Sequence, residues 1–133
     1  MFKTAIPAPV HFIMQELCNA GHEAYIVGGC VRDGILGIEP HDWDICTSAT
    51  PNQVMDSFPD EKIIPTGLKH GTISIVINSV PFEVTTFRID GNYSDGRHPD
   101  LVEFTSDLME DLKRRDFTIN AMAYGLHLSL IHI

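Results

Sequence analysis

The chain has 133 residues, 44% of them hydrophobic and 20% charged, enough for one domain around a single core. Eighteen acidic against nine basic residues give a net charge of -9 at pH 7. That excludes a chain coating nucleic acid by bulk attraction, while leaving room for a local basic site.

The first predicted element is a helix from about Pro9 to Ala20. Val10, Ile13, Met14 and Leu17 form one apolar stripe, Pro9 suits the first turn, and Gly21 is placed as a C-cap. A strand from about Glu23 to Val27 follows. Gly28-Gly29 turns the chain into a short helix, roughly Val31 to Leu36, that stops at Gly37. Asp42 to Cys46 reads as a second strand. Thr50-Pro51-Asn52-Gln53 has the pattern of a capping box with proline at the first helical position; Val54, Met55 and Phe58 are the buried side, and Pro59 ends the helix. Ile63-Ile64 predicts a short strand. Thr72 to Ile77 alternates, with Ile73, Ile75 and Ile77 on one face. Asn78-Ser79 then turns it into a hairpin, and the returning run Val80 to Phe87 splits Phe82, Val84 and Thr86 from Glu83, Thr85 and Phe87. Ile89 to Pro99 has little apolar material and reads as a mobile loop. Leu108, Asp111, Leu112 and Arg115 follow helical spacing, with Asp107 and Glu110 placed as cap and third residue. A last short helix is predicted from Thr118, burying Ile119, Met122 and Ala123.

Cys18, Cys30 and Cys46 are widely spaced without a zinc pattern, which reads as reduced thiols in a cytoplasmic protein. The short N-terminus, with Pro7 and Pro9, does not read as a signal peptide, and no apolar run approaches membrane-spanning length. Nothing in the spacing supports Cys30 as a nucleophile.

Chemistry concentrates around Gly28-Gly29-Cys30-Val31-Arg32-Asp33 and His41-Asp42-Trp43-Asp44. Two glycines between a strand and a helix let a ligand approach exposed backbone N–H groups, and a helix start favours an anion such as phosphate. The third spaced glycine of the dinucleotide fingerprint and the Gly-Lys-Ser/Thr of a P-loop are both missing. In a strand, Asp42 and Asp44 share a face while Trp43 and Ile45 take the other. Two carboxylates that close repel unless something holds them, and a hard divalent cation, Mg2+ above all, is the commonest reason. Taken singly, a Gly-Gly pair is a turn and an Asp-x-Asp pair a solvated loop; together, strand by strand, they point to phosphate and metal. Glu83 is an acid in an apolar strand: it either faces solvent or stands beside Asp42 and Asp44. Lys113, Arg114 and Arg115 cluster before Asp116, and Arg88, Arg97 and His98 lie nearby in sequence. Guanidinium forks suit triphosphate oxygens; the plainer alternative is cations decorating a helix C-terminus.

These segments resemble the head domain of the bacterial-type, class II CCA-adding tRNA nucleotidyltransferase and poly(A) polymerase family. The matching runs are Val27 to Asp33, Asp42 to Thr47, Glu83 to Arg88, Asp95 to Asp100, and Asp111 to Ala123 with its Arg114-Arg115-Asp116-Phe117-Thr118-Ile119-Asn120-Ala121 core. The resemblance runs from about Ala24 to Tyr124. It implies an α+β fold of the nucleotidyltransferase, polymerase-β-like kind: a mixed sheet flanked by helices. It implies that Gly28 and Gly29 cradle nucleotide phosphates, with Arg32 and Asp33 fixing that region, and that Asp42 and Asp44 bind two Mg2+ ions, for which Mn2+ can substitute. Glu83 becomes the third catalytic acid. Arg114, Arg115 and Asn120 contact the incoming nucleotide, Asp116 supports them, and Arg88, Arg97 and His98 help order the closed complex. The implied reaction is attack of an RNA 3'-hydroxyl on the α-phosphorus of ATP or CTP, releasing pyrophosphate, with the tRNA 3' end as partner in the full-length protein and neither a membrane nor a dedicated protein partner.

The resemblance implies that the piece after Tyr124 finishes the head sheet before the family continues into helical neck, body and tail domains, and Gly125 to Ile133 does not look like the usual continuation. The expectation is therefore a C-terminally truncated head that binds nucleotide with little base preference. The rivals are a poly(A) polymerase head, which the same motifs fit, and a nucleotide-binding module without turnover. A small-molecule nucleotidyltransferase is a further rival, though the Arg114 to Ala121 segment is not expected there.

Overall fold

A computed structural model describes residues 6–38, 42–90, 102–114, 122–125 and 130–132. The elements run α1 (Ala8–Asn19), β1 (Ala24–Val27), α2 (Gly29–Leu36), β2 (Asp44–Thr47), α3 (Pro51–Ser57), β3 (Lys62–Gly67), a 3-10 turn (Leu68–His70), β4 (Thr72–Ile77), β5 (Val80–Thr86), β6 (Arg88–Asp90), β7 (Val102–Phe104), α4 (Leu108–Lys113), β8 (Met122–Gly125) and β9 (Leu130–His132). Among the described residues, seven strands make one mixed sheet in the order β3-β4-β5-β2-β1-β8-β9, in which only the β2–β5 pair is parallel. β6 and β7 form a separate antiparallel pair.

The strand period of two sorts side chains onto the two faces. Ile26, Ile45, Ile73, Ile75 and Val84 join Val10, Ile13, Met14 and Leu17 of α1, Val31 of α2 and Val54 of α3 in the main core. Their neighbours Val27 and Cys46 point the other way, into a second cluster with Phe87, Ala123 and the α4 residues Leu108 and Leu112. The helices α1, α2 and α3 thus cover one face, and α4 packs on the opposite one.

Local chemistry sets the joints. The capping box of α3 is complete: Thr50 Oγ1 accepts the Gln53 N–H at 3.4 Å, and Gln53 Oε1 accepts the Thr50 N–H at 2.9 Å. Asn78 and Ser79 sit at φ 52° and 68°, the left-handed pair that a two-residue hairpin turn needs to match the twist of β4 and β5.

Four expectations are corrected. Met122 and Ala123 lie not in a helix but in β8, paired with β1 (Val27 opposite Ala123), because the slot beside β1 outweighs the helix propensity of an Ala-Met-Ala run. Ile89 and Asp90 belong to β6, held by β7, rather than to a loop. Asp42 precedes β2 instead of opening it. Asp107 caps α4 by accepting the Met109 N–H at 2.9 Å, but its own N–H goes to Thr105 Oγ1 at 3.1 Å, so Glu110 completes no capping box. The remainder of the predicted loop and the residues from Thr118 to Ala121 lie outside the described residues.

Candidate active site

The β2–β5 pairing is the decisive juxtaposition. Asp44 stands opposite Glu83, and the same register row continues through Ser74 of β4 to Ile64 of β3. Residues paired in this way share a sheet face. These four therefore point to the face on which Cys46, two residues after Asp44, joins the cluster packed by α4. Asp42, Asp44 and Glu83 are all exposed, whereas Trp43 and Ile45 are buried in the main core. The alternation expected from the sequence thus holds through Asp42, although that residue lies outside the strand.

The three acids line one cleft of about 810 Å³, together with Trp43, Ile64, Ser74, Val80, Pro81 and Phe82. Among the described residues, no three His, Cys, Asp or Glu side chains converge closely enough to hold a metal by themselves. This donor set still fits Mg2+, which is usually held by one or two carboxylates and completed by water and substrate phosphates rather than by an all-protein cage. Asp42 and Asp44 would hold it.

On the other side of Asp44, the row passes to Val27 of β1, and the chain turns directly into α2. Gly28 makes that turn at φ 80° and ψ -147°, a region open essentially to glycine alone, and it is buried. Its carbonyl accepts the N–H groups of Val31 and Arg32 at 3.1 and 3.4 Å, and among the described residues no side chain caps the helix start. The first-turn N–H groups of a helix lack intrahelical partners, so an uncapped start beside the acids suits an anionic ligand. Arg32 Nε pairs with Asp33 Oδ1 at 3.1 Å. Cys30 is buried, and burial pushes its thiol up despite the opposing backbone N–H of Asp44; its Sγ donates to the Val27 carbonyl at 3.0 Å. A thiol so held is a packing group rather than a nucleophile.

Arg88 and Arg114 meet at Asp111, on the side of the sheet where α4 packs. Asp111 is fully buried, a signal present in the sequence as an acid on the Leu108–Leu112 stripe whose role the spacing alone did not reveal. Arg97, His98, Arg115, Asp116 and Asn120 lie outside the described residues. Among the described residues, no helix is long and apolar enough to cross a membrane.

Comparison with known proteins bears on the family and the fold. The family described as "Poly A polymerase head domain" matches residues 24–131. A CCA-adding enzyme of Oceanobacillus iheyensis is 53% identical over 84% of this chain, which covers 27% of that protein. The crystal structure of the Bacillus stearothermophilus CCA-adding enzyme in complex with CTP superimposes with a TM-score of 0.80 at 44% identity, covering 95% of this chain and 30% of that one. A tRNA nucleotidyltransferase complexed with a primer tRNA and an incoming ATP analogue gives a TM-score of 0.65 at 30% identity, covering 91% and 34%. The chain thus spans about a third or less of the length of each of these proteins. Its mixed sheet with flanking helices is the nucleotidyltransferase head fold of those structures, and the chain belongs to the poly A polymerase head domain family.

Proposed function

We propose that this chain is the catalytic head of a CCA-adding tRNA nucleotidyltransferase, moving CMP or AMP from CTP or ATP to an RNA 3'-hydroxyl with release of pyrophosphate. The pairing of Asp44 with Glu83, in one cleft with Asp42 and next to the Gly28 turn, carries the reading. The order along the sheet supports a division of labour. Backbone N–H groups at the start of α2, with Arg32 and Asp33 fixing the turn, receive the triphosphate on one side of Asp44. On the other side, the Glu83–Ser74–Ile64 row receives the acceptor end. Glu83 draws the proton from the attacking hydroxyl, a transfer that needs hydrogen-bond reach in the loaded complex. Arg114, joined by Arg115 and Asn120 with Asp116 in support, offsets charge developing on the transferring phosphoryl group. Arg88, Arg97 and His98 serve closure. Bound at Asp42 and Asp44, two Mg2+ ions, or Mn2+ in their place, would polarise the α-phosphate and lower the pKa of the attacking hydroxyl. Three free cysteines support a reducing, cytoplasmic setting.

The chain alone offers charge and backbone donors for a triphosphate, but no described group that reads a base edge. It is therefore expected to bind ATP, CTP, GTP and UTP weakly and alike, and to add C, C and A to tRNA inefficiently, because catalysis depends on positioning the acceptor. The test is a chimaera in which residues 24–131 replace the matched head of the Oceanobacillus iheyensis enzyme. Radiolabelled CCA addition by the chimaera, abolished by Asp44→Ala, is the expected result. A folded chimaera that binds tRNA but incorporates nothing would sink the proposal.

A further inference from the structure

We propose that Asp111 is a positioning residue that aims the Arg114 guanidinium at the nucleotide phosphates; this rests on the reading of Arg114 as a phosphate contact. Asp111 has no exposed surface. Burying a carboxylate is costly unless its charge is met by strong donors. Here a single oxygen, Oδ1, accepts both the Arg88 backbone N–H at 2.9 Å and the Arg114 Nε–H at 3.2 Å. The two donors come from different places. Arg88 opens β6, directly after Phe87, which lies on the β5 face that carries Glu83. Arg114 closes α4 one turn after Asp111, with its side chain 17% exposed.

Geometry makes this contact directional. A guanidinium is a planar fork of five donors, and its charge is spread over three nitrogens. Engaging Nε–H restrains the plane of the fork and leaves its end edge, between the two Nη atoms, to meet a second acceptor. That edge suits phosphate oxygens. The Arg88 N–H on the same Oδ1 ties the carboxylate to the end of the acid-bearing strand, so the aim of Arg114 is referenced to the sheet rather than to α4 alone. The Arg88 side chain is anchored in turn, with Nη1 donating to the His70 carbonyl at 3.4 Å.

Asp111→Asn separates positioning from fold. The amide oxygen still accepts both donors, but the charge that holds the guanidinium is gone. In the 133-residue chain, ATP and adenosine are titrated in the presence of Mg2+ by NMR, alongside thermal unfolding and the Arg114 Nε–H resonance. In Asp111→Asn, ATP affinity is expected to fall about tenfold, the size of one charge-assisted hydrogen bond. Adenosine affinity should change less than about twofold, because a nucleoside has no phosphate for Arg114 to meet, and the Nε–H signal should lose its protection from exchange. A merely structural role would move both ligands together. Arg114→Ala is the control for the underlying reading: if it leaves ATP binding intact, or if the parent chain shows no ATP binding, the phosphate role of Arg114 fails and this proposal with it. If Arg114→Ala weakens ATP binding and Asp111→Asn does not, the phosphate role stands and positioning by Asp111 is refuted.

Discussion

Phe87→Ala should cost this fold about 3–5 kcal/mol, the usual range for truncating a fully buried phenylalanine. Phe87 is 0% exposed, and its ring stacks on Tyr25 with centroids 6.2 Å apart and an interplanar angle of 30°. It shares the second cluster with Val27, Cys46, Leu108, Leu112 and Ala123, so it lies between the acid face of the sheet and α4. Its backbone makes two further ties that the substitution keeps: Phe87 N–H to the Thr47 carbonyl at 2.8 Å, and Thr105 N–H to the Phe87 carbonyl at 2.9 Å. The loss is therefore transfer free energy plus a cavity that rigid strands on one side cannot collapse. Against a typical domain stability of roughly 5–15 kcal/mol, it removes a large share and should lower the melting temperature by about 10–20 °C. Phe87→Leu retains most of the apolar volume and should lose only about 1.5 kcal/mol. Urea unfolding of parent and both variants, followed by circular dichroism, gives the three free energies. A Phe87→Ala loss under about 1 kcal/mol would show that α4 does not depend on this ring for its place on the acid face.

Thr50→Ala removes half of the α3 capping box and should destabilise the chain by about 1 kcal/mol in the same urea assay. Cys30 and Cys46 are buried, and the Cys30 thiol is raised by burial, so both should resist iodoacetamide at pH 8 until the chain unfolds, while half-buried Cys18 reacts sooner. The Tyr25 phenol is pushed up to about 12 by burial first and then by its 2.8 Å hydrogen bond to Glu23. A raised phenol stabilises the fold below its unfolded value of about 10 and loses that contribution as pH climbs to about 12. Stability measured across that window should fall more steeply in the parent than in Tyr25→Phe.

The parts of the fold governed by local chemistry were legible in the sequence. Thr50 and Gln53 cap α3 as their spacing required, the α1 stripe is buried residue for residue, and the Ile73–Ile75 alternation delivers β4. The outward placement of the candidate acids was legible for the same reason: alternation around Trp43 turns Asp42 and Asp44 outward together. What local pattern could not carry was pairing between distant segments. Met122 and Ala123 read as part of a helix until β1 offers them hydrogen-bonding partners almost a hundred residues upstream, and Ile89 and Asp90 read as loop until Val102–Phe104 pairs with them. Asp111 was visible as an acid on an apolar stripe, yet its contacts with Arg114, three residues on, and with the Arg88 backbone, 23 residues away, emerge only from the packed structure.

The proposed function requires the Asp42–Asp44–Glu83 cleft to bind a divalent cation that serves a nucleotide. Mn2+ titration of the 133-residue chain, followed by paramagnetic broadening of assigned amide signals, tests it most directly. The expected result is broadening centred on Asp42, Asp44 and Glu83 and reaching the Gly28 turn, strengthened by ATP, abolished in the Asp42→Ala, Asp44→Ala double variant and weakened in Glu83→Ala. Broadening centred elsewhere, or unchanged in the double variant, would contradict the account.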